Sequence, residues 1–207
     1  MSKQQASRQS INRLKIDSLT VWLKGKFEKF KDSRGSNKSI KLRDALLSGF
    51  AVFSLKDPTL LLFNNKRPSR KENLKNIYKI EDVPSDSGMR TILDEVQLSD
   101  FKGVFRGLVG LLRKAGIWKS YEYYRGHIIC SIDGVHHYSS EKVSCGHCLE
   151  YKKKNDQIEY RHYMLSGSIV HPEKKGVMPA IHEAIIKQDG LEKNDCERNA
   201  SKRLLPN

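Results

Sequence analysis

The sequence predicts a mixed fold of the α/β class, α+β overall, in which a helical region precedes the first strands of an α/β domain. Through most of the first 120 residues, apolar side chains recur at three- and four-residue spacings, which is typical of amphipathic helices. After Tyr124 the chain changes to runs rich in β-branched and aromatic residues, which favour strands. The order of helices, strands and a final helix is that of an α/β domain without its end.

These patterns divide the chain into three regions. Residues 1–15 are predicted to form a disordered basic tail, because the first ten residues are polar and include few apolar side chains. Residues 16–122 predict a basic helical region, in which Ser39 is a candidate N-cap and Pro58 ends or redirects a helix. Residues 123–207 form the strand-bearing region.

Three strands and two further segments are predicted in the last region. The strands are expected at Gly126–Asp133, Val143–Tyr151 and Ile158–Val170, with a charged hairpin turn at 152–156 between the second and the third. After them, a helix or mixed segment is expected at Val177–Ile186 and a charged helix at Leu191–Leu205.

Positive charge is concentrated in the first 80 residues. They contain 19 Lys and Arg against 6 Asp and Glu, a net charge of +13, whereas residues 81–207 contain 19 against 18, a net charge of +1. A basic half beside a neutral half indicates a polyanion-binding region, and DNA is favoured over an anionic membrane. A solvated surface or a basic tail would show the same composition. The segment 66–71 is predicted to be a basic loop that contacts phosphates through Lys66, Arg67, Arg70 and Lys71.

An aspartate closes the first predicted strand. The run Gly126–Ile132 is short and apolar, which favours a strand buried on both faces, and Gly134 follows Asp133 at once. A buried carboxylate is costly unless a positive charge offsets it, and hard cations such as Mg²⁺ select carboxylate oxygens. The alternative is an Asp-Gly turn, in which Asp133 caps its own backbone. This stretch alone leaves both interpretations open.

Cys145 and Cys148 form a Cys-x-x-Cys pair, which is half of a structural zinc site. His162 or His147 could supply further ligands. Against zinc, a complete tetrahedral set is not evident, and a reduced cysteine pair can simply pack in a core. A thioredoxin-like redox role is less favoured, because the pair does not lie at a strand-to-helix turn.

The sequence also bears on the compartment. Four cysteines in 207 residues do not look like a secreted disulfide framework. No run approaches the roughly 20 apolar residues of a membrane span, and no signal peptide is visible at the N-terminus. We therefore expect a cytoplasmic protein with no membrane partner.

Four separate blocks between residues 40 and 207 carry a resemblance to a known family. They are Lys56–Phe63, Pro84–Asp94, the stretch from Ile132 to Cys148 and Asn194–Arg203. In this order the blocks resemble bacterial insertion-sequence transposases of the DDE type. The first two are similar to parts of the helical N-terminal region, the third to the block around the first catalytic Asp, and the fourth to the helix after the third strand. Four blocks in one order are more specific than any one of them.

The resemblance implies a helical DNA-binding region followed by an incomplete catalytic domain of the ribonuclease H-like fold. In this family three carboxylates hold two metal ions about 4 Å apart, which clamp the scissile phosphate. Asp133 matches the first carboxylate, so Mg²⁺ or Mn²⁺ is the expected cofactor. The resemblance also includes His162, in the strand opposite the cysteines. The implied partners are double-stranded DNA at the transposon ends and further copies of the chain, and the implied location is the bacterial cytoplasm, at the nucleoid when DNA is bound.

We therefore expect the N-terminal half of a transposase, truncated before the second Asp and the Glu and inactive by itself. The other acidic residues considered match neither position; they are Asp156, Glu173, Asp189 and Asp195. The alternative is a non-catalytic DNA-binding protein, for example a zinc-stapled regulator that uses only the basic half. The nucleotide sequence after codon 207 distinguishes the two, because a transposase gene would encode the missing carboxylates there in some frame.

Overall fold

The computed structural model of the protein describes residues 12, 14–36, 38–187 and 193–205. Most of the tail predicted at residues 1–15 lies outside this part of the chain, as does Asp189. The chain divides into two compact units, Met1–Val104 and Phe105–Asn207. Helices dominate the first unit and an antiparallel sheet the second, so the α+β class predicted from the sequence is confirmed.

Helices form the first unit and continue into the second. In chain order they are α1 (Ile16–Phe27), α2 (Leu42–Ser54), α3 (Leu60–Asn76), α4 (Asp86–Asp94) and α5 (Phe101–Lys114), with a 3-10 turn at Leu98–Asp100 before α5. The boundary between the units falls inside α5. The core of the first unit is built from the apolar stripes of these helices, and its most buried side chains include Leu47, Phe63, Leu74 and Met89.

Side-chain caps fix where two of these helices begin. The hydroxyl of Thr59 accepts a hydrogen bond from the backbone N–H of Leu62 at the start of α3, and Ser85 does the same for Gly88 at the start of α4. The N-cap predicted at Ser39 is wrong, because α2 begins at Leu42. Lys41 takes the extended backbone conformation before it and contributes no side-chain cap.

The basic loop predicted at 66–71 is wrong as well, because this segment lies inside α3. Pro68 misled the prediction, since proline lacks the N–H that would bond the carbonyl four residues earlier. The helix accommodates it because Thr59 caps its start and most residues around Pro68 are good helix formers, such as Leu, Lys, Arg and Glu.

The second unit contains five strands and a final helix. After a 3-10 turn at Trp118–Tyr121 come β1 (Glu122–Tyr124), β2 (His127–Ser140), β3 (Leu149–Lys152), β4 (Ile158–His171), β5 (Lys174–Ile185) and α6 (Glu197–Leu204). All pairings are antiparallel. β4 is the central strand: β2 pairs along one of its edges, and β3 and then β5 pair along the other.

Two of the predicted strands and one further segment need correction. β2 does not stop at Asp133 but continues to Ser140, because β4 pairs with it over the whole length from Ile129. The predicted strand Val143–Tyr151 is replaced by Leu149–Lys152, since the Cys-x-x-Cys turn occupies the residues before it. The segment Val177–Ile186, expected to be a helix or mixed, belongs up to Ile185 to the edge strand β5, where Pro179 is tolerated. The strand predicted at Ile158–Val170 is confirmed by β4.

Two small clusters of buried side chains lie in the sheet unit. One joins the sheet to α6 through Leu149, Leu165, Ile185 and Ala200. The other gathers side chains around Tyr121, whose hydroxyl donates a hydrogen bond to the carbonyl of Gly176 at 3.1 Å. The final helix is shorter than predicted: α6 begins at Glu197, and residues 188–192 lie outside the described chain.

Candidate metal centre

The loop between β2 and β3 carries two cysteines in a tight turn. The backbone N–H of Cys148 donates to the carbonyl of Cys145 at 3.1 Å, and the N–H of Cys145 donates to the Sγ of Cys148 at 3.2 Å. The turn brings the two sulfur atoms to 3.7 Å. This separation is far longer than the roughly 2.05 Å of a disulfide, and both cysteines are free.

His162 on β4 completes a group of three ligand atoms. Its Nε2 lies 3.4 Å from the Sγ of Cys145 and 3.1 Å from the Sγ of Cys148. Strand pairing sets this position. Leu149, which directly follows Cys148, pairs with Arg161, and Arg161 is the neighbour of His162 in β4. Among the described residues, these three form the one group of His, Cys, Asp or Glu side chains close enough to share a metal ion.

The distances match those that one tetrahedral zinc ion requires. Zinc lies about 2.3 Å from a thiolate sulfur and about 2.05 Å from an imidazole nitrogen, so tetrahedral angles put two sulfurs about 3.8 Å apart and a sulfur and a nitrogen about 3.6 Å apart. The observed 3.7, 3.4 and 3.1 Å are shorter than these values by about 0.1, 0.2 and 0.5 Å. The soft thiolates with one imidazole therefore fit zinc in type and in spacing.

Electrostatics at the site favour the neutral forms of the Cys148 thiol and the His162 ring. Burial raises the pKa of the Cys148 thiol, and the hydrogen bond from the Cys145 N–H offsets only part of this effect. Burial also lowers the pKa of His162, and the neighbouring His137 and His147 lower it further. A neutral imidazole has its lone pair ready to bind a metal, whereas the thiols lose their protons when the metal binds.

Asp133 lies in the middle of β2 rather than at the end of a strand. It is exposed, and its Oδ1 accepts a hydrogen bond from the backbone N–H of Gly134 at 2.8 Å. The prediction of a strand buried on both faces is wrong, since Ile129, Ile132 and Val135 are between 37% and 44% exposed. All pairing of β2 is antiparallel, and an antiparallel sheet can leave a face in contact with solvent, so an apolar run in it need not be buried on both faces.

Glu197, at the start of α6, and Asp195, just before it, do not join Asp133 in one site. The carboxylate of Glu197 lies against Gly134, where an added Cβ would be 2.0 Å from its Oε1. Successive residues of a strand face opposite sides of the sheet, so Glu197 covers the face opposite to the Asp133 side chain. Asp195 is buried and accepts a hydrogen bond from Arg203 at 2.7 Å. The carboxylates that would accompany Asp133 in a two-metal site are therefore not supplied by these residues.

Three of the four predicted phosphate contacts have partners inside the helical unit. Lys66 and Arg70 both bind the carboxylate of Asp57, and Arg67 donates to the carbonyl of Val83 at 3.0 Å. Lys71 is exposed. The structure brings Lys66 and Arg70 together at a buried acid, whereas the sequence suggested a free basic cluster.

One residue near the metal centre escaped the sequence analysis. The ring of His137 lies 6.0 Å from the ring of His162, measured between centroids. The available signal was the run His136-His137, but the predicted strand ended at Asp133, before both histidines.

None of the described helices is both long and apolar enough to cross a membrane. Comparison of the chain with protein-family models, curated proteins and solved structures found no match.

Proposed function

We propose that the chain is a DNA-binding protein of the DDE transposase type, whose sheet unit is held together by a zinc ion on Cys145, Cys148 and His162. The observation that supports the zinc ion is the spacing of the three ligand atoms, 3.1 to 3.7 Å. The transposase assignment rests on the four sequence blocks and on Asp133.

The zinc ion would act as a structural cross-link. It would tie the loop at 141–148 to the central strand β4, which otherwise holds this loop only through β3. The contacts of the loop are polar ones: the Oγ of Ser140 accepts from the N–H groups of Lys142 and Val143, Tyr138 donates to the carbonyl of Val143, and Lys153 donates to Glu141. Metal binding to a segment of this kind contributes directly to folding.

Metal analysis of the purified full-length chain tests the zinc ion. We expect one zinc per chain, and Co²⁺ in its place should give the visible absorption of a tetrahedral thiolate site. Cys145→Ser and Cys148→Ser should abolish both signals. Cys130→Ser is the matched control, because Cys130 is also a free, exposed cysteine but lies on β2. A wild-type chain that binds neither zinc nor Co²⁺ would rule out the proposal.

The arrangement of the sheet unit is consistent with the start of a ribonuclease H-like domain. Three long antiparallel strands, β2, β4 and β5, lie side by side and a helix follows them. Asp133 is on the first of the three, as the resemblance implies for the first metal-binding carboxylate. In a complete site, Mg²⁺ or Mn²⁺ on Asp133 and two further carboxylates would polarise the attacking oxygen and stabilise the leaving oxygen.

Nicking of supercoiled DNA tests the catalytic part of the proposal. One carboxylate leaves the metal clamp incomplete, so we expect no detectable cleavage by this chain with Mg²⁺ or Mn²⁺. If the gene encodes an Asp and a Glu downstream, a chain extended to include them should produce cleavage that Asp133→Ala abolishes. Cleavage that is unaffected by Asp133→Ala would argue against the role of Asp133.

A second candidate is a DNA-binding regulator without catalysis, stapled by the same zinc ion. It is favoured by the absence, within the described residues, of a carboxylate cluster around Asp133. Reading the gene past codon 207 separates the two candidates. If no frame there encodes an Asp at the end of a strand and a later Glu, the regulator is the better account. Both candidates place the protein in the cytoplasm, at the nucleoid when DNA is bound.

A further inference from the structure

We infer that His137 is the fourth ligand of the zinc ion, which makes the site a Cys₂His₂ centre joining three segments of the sheet unit. The inference deepens the proposed function and rests on it, since it presupposes metal on Cys145, Cys148 and His162. Structural zinc sites are almost always four-coordinate, so three protein ligands leave one position to be filled.

A β-bulge aims His137 towards this position. The pairing of β2 with β4 is regular up to His136 opposite Tyr163 and resumes with Tyr138 opposite His162. His137 is therefore the extra residue, without a direct partner in β4. A bulge of this kind re-aims a side chain that a regular ladder would hold perpendicular to the sheet, and bulges are frequent beside functional sites.

The distance between the two histidine rings fits a shared ion. Zinc about 2.05 Å from an imidazole nitrogen lies about 3.2 Å from the ring centre, so two imidazoles at a tetrahedral angle have ring centres about 5.2 Å apart. The rings of His137 and His162 are 6.0 Å apart. His137 lies outside the group whose ligand atoms are all within 4.8 Å of one another, so a side-chain rotation of the exposed His137 is needed to bring a ring nitrogen to the ion.

The neighbouring histidines are less suited to this role. The Nε2 of His136 lies 2.8 Å from the carbonyl of Tyr138, and its ring stacks on Tyr163. His147 is exposed at the tip of the turn between the two cysteines. Because both ends of that short turn would bind the ion, His147 has too short a tether to reach the remaining corner. A ligand from β2 also adds a new connection, since the ion would then link β2, the cysteine turn and β4.

The test uses zinc and Co²⁺ alone as probes of the full-length chain. Competition with a chromophoric chelator should show that His137→Ala weakens zinc binding by about tenfold or more, because even the loss of an outer partner of a ligand has that effect. His147→Ala and His136→Ala should bind as the wild type does. His137→Cys should restore tight binding and increase the sulfur-to-cobalt charge-transfer absorption, because three thiolates then replace two.

The outcomes separate this inference from the proposed function. If the wild type binds zinc and His137→Ala binds it equally well with the same Co²⁺ spectrum, the fourth ligand is wrong and the three-ligand site stands. If His147→Ala shows the loss instead, His147 holds that corner and the inference fails. If the wild type binds no metal, both fail. Rescue by His137→Cys, with far-UV circular dichroism unchanged, supports the inference even where His137→Ala folds poorly.

Discussion

Arg70 donates a hydrogen bond to Asp57, whose side chain is 2% exposed and also accepts from Lys66 at 3.1 Å. Burial alone would raise the pKa of Asp57, but the hydrogen bonds from Arg70 and Lys66 outweigh it, so the pKa is lowered. The charge pattern that suggested DNA contacts in the sequence thus serves, at two positions, to neutralise a buried acid of the helical unit.

Arg70→Ala should destabilise the helical unit by about 3 kcal/mol, because it removes one partner of a buried charge. Urea unfolding of the full-length chain measures the loss. Lys71→Ala is the matched control, since Lys71 is adjacent in α3 and exposed, and it should change stability by no more than about 0.5 kcal/mol. Equal effects of the two substitutions would contradict the structural role of the ion pair.

The affinity of the chain for duplex DNA should fall steeply as the salt concentration rises, and a plot of log affinity against log salt concentration should be linear. Each neutralised phosphate contributes a slope of about −0.9. Lys71→Ala should reduce the slope by about 1, if Lys71 contacts a phosphate. Lys175→Ala, an exposed lysine on β5 in the nearly neutral half, should leave the slope unchanged. An affinity that is the same at low and moderate salt would contradict the charge argument for DNA binding.

Stability of the helical unit should fall in acid through Asp32. The hydrogen bond from the Arg34 side chain is the main cause that lowers the pKa of Asp32 from 3.8 to about 2. A lowered pKa contributes stability that is fully present above the unfolded value of about 4 and is lost as the pH falls through about 2. The free energy of unfolding, measured from about pH 5 to about pH 2, should therefore depend less on pH for Asp32→Asn than for the wild type. Glu173→Gln, an exposed carboxylate of the other unit, is the comparison that should retain the full dependence.

Gly167 should tolerate a side chain less well than Gly134. A Cβ at the buried Gly167 would lie 2.5 Å from Cγ1 of Ile181, so the side chain of Ile181 must shift, and we expect a loss of about 1–3 kcal/mol. A Cβ at Gly134 would meet the carboxylate of Glu197, the far end of a flexible side chain that can rotate away. Thermal unfolding of Gly167→Ala and Gly134→Ala compares the two, and the reverse order would mean that Glu197 is held in place.

Asp133 should bind Mn²⁺ only weakly in this chain, because one carboxylate cannot build the octahedral shell that a hard divalent ion of this kind prefers. Water-proton relaxation during a Mn²⁺ titration measures the binding, after the zinc site has been filled. Asp133→Ala should remove no tight site. A tight site that disappears in Asp133→Ala would show that another carboxylate completes the pocket.

The sequence named the three residues that the structure brings together, but left their use open. Cys145 and Cys148 could be named from their spacing and His162 as one of two candidate histidines, although packing of a reduced cysteine pair fitted the sequence as well. There was no reason in the sequence to consider His137, since nothing local in it marks the bulge in β2.

The errors in the fold have equally local causes. The sequence Asp133-Gly134 looked like the end of a strand, yet pairing with β4 carries β2 past it. The segment 66–71, which contains Pro68, looked like a loop, yet α3 continues through it. In each case tertiary packing outweighed a local preference, which a single sequence does not reveal.

β3 and β5 share one edge of β4, and they divide it at a single residue. β3 ends its pairing at Arg161, β5 begins its pairing at Tyr163, and His162 lies between them. Any lengthening of β3 at this end would take backbone groups that β5 now uses, so each strand limits the length of the other. Insertions in the cysteine loop can be absorbed before Leu149, whereas a shift of one residue in β3 would move the two sulfur atoms away from His162. The positions of the three candidate ligands therefore depend directly on strand register, and a bound ion would select the one alignment in which both strands fit.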